Sequence, residues 1–219
     1  IQHVHGMLGW TRSFDEAQEY YDDEIRNNLD LMDQTDHYDD ASTHRFTVEC
    51  AWIVRNYLQR WPGEADRVRR RMLEGRLEVG SYEVSAPDLC FSGEETLWCL
   101  TTRAELERDG FGASRLVVQT DIHANSVGFP SLAAGTGLRY LLVGTNVDAR
   151  CGYARLPGPD VTPRGRALFW WVGIDGKRLL CFHHGNYMEA SGKSAGADFD
   201  PALLRSEERR VGKECATGC

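Results

Sequence analysis

Two rhythms of hydrophobic and polar positions divide the chain. Phe14, Ala17, Tyr21, Ile25 and Leu29 recur every three or four residues with carboxylates between them, the spacing of an amphipathic helix. Ser13 and Glu16 form a capping box at its start, and the helix is expected to end before "DQTDHYDDAS". "HRFTVEC" alternates and is rich in β-formers, so it predicts a strand running to about Cys50. "AWIVRNYLQRW" predicts a helix stopped by Pro62, and "GEADRVRRRMLEG" a second one closed by Gly75. "RLEVGSYEV" reads as the next strand. Ser92-Gly93-Glu94-Glu95 opens another capped helix expected to run to Asp109 and Gly110. "RLVVQTDI" is a strand, "SVGFPSLAAGTG" a short helix and "RYLLVGT" a strand again.

Strand and helix thus alternate about four times with short connections, which predicts a parallel α/β sheet or barrel. The rhythm then changes. "RLPGPDVTPRGR" is a loop, and "ALFWWVGIDGKRLLCFHH" carries Asp175-Gly176 between two apolar runs, a hairpin signal.

Composition narrows the possibilities. The 219 residues carry a net charge of −8 and are 42% hydrophobic, enough to bury the core of one domain or of part of a larger one. No basic stripe exists to neutralise phosphates, which argues against nucleic acid or an anionic membrane as partner, and no apolar run is long enough to span a bilayer. The cysteines are odd in number, irregularly spaced and without a C-x-x-C pair. Several lie in apolar company, as in "LWCL" and "LLCF", so reduced, buried thiols and a cytoplasmic setting are expected.

The stretch "RSEERRVGKEC", Arg205 to Cys215, is similar to the translation of a common sequencing adaptor, and residues 205–219 are read as an artefactual tail. Removing its four basic and three acidic residues leaves residues 1–204 at net −9, with five cysteines.

In a parallel α/β fold, catalytic groups gather where strands end. Three stretches lie there. In His3-Val4-His5 a period of two puts both imidazoles on one side of an extended chain. In "VVQTDIHANS" Asp121 ends an apolar strand, with His123 two residues on, and "SYEVSAPDL" carries Asp88 past its strand. Zinc takes neutral imidazole and carboxylate, so His3, His5 and Asp121 are candidate ligands. By spacing alone this stands beside commoner roles: surface or hydrogen-bonded histidines, and an aspartate capping the next helix. His183 and His184 are expected in ordinary hydrogen bonds, His37 and His44 exposed, and Asp36, Asp39 and Asp40 in a solvated turn.

Set in order, these pieces resemble the N-terminal catalytic domain of glycoside hydrolase family 38, the retaining α-mannosidases. "HVHGMLGWTRSFDE" resembles the family's H-x-D-x-x-W strand end and following helix. "EGRLEVGSYEVSAPDL" is similar to its G-R-L-E-x-x-G-x-x-x-x-x-D segment. "VVQTDIHANSVGFPSLAAGTGLRYLLV" resembles the strand and nucleophile turn W-Q-x-D-x-F-G-H-S, and "LFWWVGIDGKRLLCFHHGNY" the F-x-W-x-x-x-D-G hairpin. The likeness spans about residues 3–190.

The resemblance implies an incomplete seven-stranded (β/α) barrel with a late β-hairpin, a Zn2+ cofactor and an α-mannoside or related glycan as substrate. It implies His3 and His5 as metal ligands, His5 standing where the family has aspartate, and Asp121 as both ligand and nucleophile. Trp10 and Asp88 would meet the sugar. "DIHANS" departs from the family's F-G-H after the nucleophile, which alters that wall of the subsite. The fourth ligand and the general acid would lie beyond these residues, so this piece alone is expected to be inactive. Two other readings stay open: an H-x-H metal hydrolase of another class, and a carbohydrate-binding relative without catalysis.

Overall fold

The computed structural model describes residues 3–6, 8, 12–112, 114–122, 125–145 and 166–186. Residues 188–219, which include the adaptor-like tail, lie outside them, as do Trp10 and His123.

Three parallel strands make the first sheet: β1 (His3–Val4), β2 (Phe46–Cys50) and β3 (Leu77–Tyr82), in that order. The second sheet runs β4-β5-β7-β6, from β4 (Leu116–Thr120), β5 (Tyr140–Thr145), β6 (Arg166–Val172) and β7 (Arg178–Asn186). Its pairs are parallel apart from the β6–β7 hairpin, which turns at Asp175-Gly176 as predicted. Asp175 fixes that turn by accepting from the Lys177 amide and from Ser131 Oγ at 2.6 Å.

The α/β expectation holds, and the described strands hydrogen-bond as two sheets of three and four. Among the described residues β4 meets the first sheet through side chains, Ser114 Oγ donating to Glu78 at 2.5 Å and Thr120 reaching Glu49, instead of through a backbone ladder.

Helix α1 (Phe14–Gln34) begins at the predicted capping box, Ser13 accepting from the Glu16 amide. It buries Ala17, Tyr21, Ile25, Leu29 and Met32 against β1, β2 and helix α2 (Ala51–Arg60). Each large apolar side chain so buried contributes roughly 1.5–3 kcal/mol. Helix α3 (Ala65–Leu73) closes at Gly75 as expected.

The helix expected to run unbroken to Asp109 divides instead into α4 (Gly93–Thr101) and α5 (Arg103–Arg108). Thr102 at the break turns its hydroxyl back onto the Cys99 carbonyl, a local bond that competes with the helix ladder. Helix α6 (Phe129–Gly135) packs Phe129 and Ala133 into a second core with Val117, Leu141 and Leu179. Among the described residues no helix is long and apolar enough to cross a membrane.

The acidic turn is not simply solvated. Asp36 bonds Arg71 at 2.7 Å and also Arg76, while Asp33 takes Arg67 and Arg71, so α1 is clamped to α3 and to the start of β3. Arg71 itself is 1% exposed and Arg76 donates to the Met32 carbonyl at 2.6 Å. His44, expected exposed, is half-buried with its ring on Asn28 Oδ1 at 2.8 Å.

Hydrogen bonding from Arg71, joined by Arg76, holds the Asp36 carboxyl down to about 2. The unfolded value is about 4. A depressed folded value contributes stability that is present above pH ~4 and lost as the pH falls through about 2. The slope of denaturation midpoint against pH between about 4 and 2 should therefore flatten in Asp36→Asn. An unchanged slope would remove Asp36 from the acid response.

Candidate active site

Parallel strands bring the ends of β1, β2 and β3 to one edge, and the end of β4 joins them through Glu49. Glu49, the penultimate residue of β2, is fully buried. Its Oε2 accepts from the Gly6 amide and lies against His5 Nδ1, both at 2.6 Å. Its Oε1 accepts from the Thr120 amide at 2.5 Å and from Ser85 Oγ at 3.2 Å. Thr120 Oγ1 also lies 2.8 Å from His5 Nδ1. One carboxylate thus gathers the chain just past β1, the chain just past β3 and the last residue of β4.

Two glycines make this convergence possible. A Cβ on Gly80 would lie 2.0 Å from the Glu49 carbonyl oxygen, so only glycine lets β3 press against β2 there, at the register shift between Val48 and Cys50. A Cβ on Gly6 would lie 2.4 Å from Cys50 Sγ, closing off the approach its amide makes to Glu49.

Above this layer Tyr21 of α1, packed edge-on against Trp52 at 5.4 Å, donates its hydroxyl to the His5 carbonyl at 2.9 Å. His5 is therefore held from its backbone and from its ring.

Asp121 follows Thr120 and has a left-handed backbone, φ 57°, the only non-glycine residue with positive φ among those described. Its amide donates to the Gly144 carbonyl of β5 at 2.7 Å. A non-glycine residue in this region carries strain and marks a place worth chemical attention, and aspartate and asparagine tolerate it better than most.

Asp88 is buried and turned toward the same loop: its carboxylate takes both the amide of Ser126, at 2.6 Å, and the Ser126 hydroxyl. It shapes the turn after β4. Trp10 and His123 lie outside the described residues, and so do the side chains of His183 and His184.

The structure thus brings His5 beside Thr120, one residue from Asp121, with His3 two residues earlier on β1. Two imidazoles and a carboxylate are the donor types zinc takes. A metal-bound imidazole usually gives its other ring N–H to a carboxylate, and Glu49 lies 2.6 Å from His5 Nδ1. Among the described residues, however, no three His, Cys, Asp or Glu side chains are grouped as a metal site. The donor chemistry fits a metal, while the three side chains are not drawn together into one cluster.

Glu49 was not singled out in the sequence. It is the one charged residue of a buried strand, "FTVEC", and that misplaced charge was the available signal.

The family model for the N-terminal domain of glycosyl hydrolases family 38 matches residues 1–213. The chain belongs to glycosyl hydrolase family 38.

Solved structures agree on the fold of this family 38 domain. An alpha-mannosidase from Enterococcus faecalis V583 superposes with a TM-score of 0.68 at 19% identity, covering 97% of this chain and 23% of that one. A family 38 protein from Enterococcus faecalis gives 0.63 at 15% identity, covering 100% and 22%. A 4-alpha-glucanotransferase from Thermococcus litoralis gives 0.65 at 14% identity, covering 94% and 30%. The family 38 chain therefore spans less than a third of the length of each. No curated protein matches it.

The left-handed turn of the family 38 domain yields a stability test. Asp121→Asn should keep the backbone conformation, whereas Asp121→Ala should be less stable than the asparagine variant by about 1 kcal/mol in urea denaturation. Equal stability of the two would contradict the left-handed assignment.

Proposed function

We propose that this domain belongs to a zinc-dependent retaining glycosidase acting on α-mannosides. The observation that carries the reading is Asp121, a carboxylate in a left-handed turn at the end of β4, one residue after Thr120, whose hydroxyl reaches His5, in a family 38 chain. Membership of a glycoside hydrolase family supports a carbohydrate substrate, and the alpha-mannosidase among the structural neighbours supports mannosides within that class.

In a retaining reaction one carboxylate attacks the anomeric carbon while a second group, about 5 Å away, protonates the leaving oxygen. Asp121 takes the first role. The acid is assigned to chain outside residues 1–204. His3, His5 and Asp121 would hold the zinc ion, which when bound supplies a template and Lewis acid for the sugar hydroxyls. Asp88 keeps the turn after β4 in shape by holding Ser126, and through that turn it would border the sugar. The free, buried thiols of Cys50, Cys99 and Cys181 support a reducing, cytoplasmic setting.

The test belongs in the full-length parent. Asp121→Asn should lower turnover of an activated α-mannoside roughly a thousandfold or more. His3→Ala should lower bound zinc measured by elemental analysis. Undiminished turnover by the asparagine variant would refute the nucleophile.

A further inference from the structure

We infer that Glu49 is a positioning residue that sets the tautomer and aim of His5 and, through the Thr120 amide, the stance of the Asp121 turn. The inference rests on the proposed site at the strand ends, and it follows from the hydrogen-bond inventory of one side chain. Every polar group around the Glu49 carboxylate has a hydrogen to give: the Gly6 and Thr120 amides are obligate donors, and Ser85 Oγ is within reach of the remaining lone pairs. Only an acceptor facing His5 completes that set, so the ring hydrogen is placed on Nδ1 at 2.6 Å from Oε2. The imidazole then directs the Nε2 lone pair away from Glu49, the state needed to ligate a cation or to accept from a sugar hydroxyl. A neutral histidine without such a partner has two tautomers to choose from, and the buried carboxylate removes the choice.

The same carboxylate holds the amide of the residue preceding Asp121, while the Gly144 carbonyl holds the Asp121 amide itself. Glu49 therefore sets the backbone entry to the turn as well as the ring beside it. Glutamine could not substitute cleanly. Its NH2 group would face at least one of the two backbone N–H donors, a donor against a donor in a site with no exposure.

Thr120 is a competing explanation, since its hydroxyl also reaches His5 Nδ1 and could donate to a bare ring nitrogen. The two assignments call for opposite tautomers, which makes them separable.

The experiment is nitrogen-15 NMR of the imidazoles in the histidine-labelled chain at a pH where they are neutral, with the His5 signal assigned by its loss in His5→Gln. The wild-type ring should show a protonated Nδ1 and an unprotonated Nε2. Thr120→Val should leave that pattern in place. Zinc titration should show a 10–100-fold weaker affinity in Glu49→Gln than in wild type.

A wild-type His5 protonated on Nε2 overturns the inference. So does a Thr120→Val protein whose tautomer switches. If Glu49→Gln fails to fold, the wild-type and Thr120→Val spectra still decide. If the wild-type chain shows the expected tautomer but takes up no zinc, Glu49 keeps its role and it is the metal reading that falls.

Discussion

The site depends on a charge buried where a charge is costly. A carboxylate removed from water destabilises a fold unless its lone pairs are met, and Glu49 meets that demand with donors from three separate stretches of chain. Because each donor is spent on the same two oxygens, the ends of β1 and β4 and the loop after β3 cannot drift independently. The convergence is a constraint on backbone as much as on side chains: two of the donors are amides, and Gly80 is needed simply to let the β3 backbone pass.

A second polar network does a different job farther from that edge. Asp33 and Asp36, at the end of α1, meet Arg67, Arg71 and Arg76 of α3 and β3. The arginines are the buried partners and the aspartates remain partly exposed, so this network locks helix to sheet while staying in contact with solvent. Such pairs respond to acid. The Glu49 carboxylate, by contrast, is fully buried and ties strand ends to one another.

Fold and chemistry part company in the structural neighbours. An alpha-mannosidase and a 4-alpha-glucanotransferase superpose on the same residues almost equally well, at 0.68 and 0.65, each below 20% identity. An α/β scaffold of this shape evidently hosts more than one reaction, so the function has to be argued from the strand-end residues and not from the scaffold. A cavity of about 440 Å³ makes the same point from the other side. It is lined by Phe46, Glu78, Leu116, Tyr140 and Phe182, mostly near the starts of strands, away from His5 and Asp121.

Much of this was legible in the residues. Capping boxes at Ser13 and Ser92, the apolar stripe of α1, the Asp175-Gly176 turn and the placing of His5 and Asp121 at strand ends all follow from local chemistry, which acts over a few residues and leaves a periodic trace. What periodicity could not carry is who meets whom across distance. Glu49 and Thr120 are 71 positions apart, and Asp36 and Arg76 are 40 apart. No spacing rule links such pairs. Their partnership exists only once helices and strands have packed, because the cost of burying a charge is settled by whichever donors the tertiary fold delivers to it.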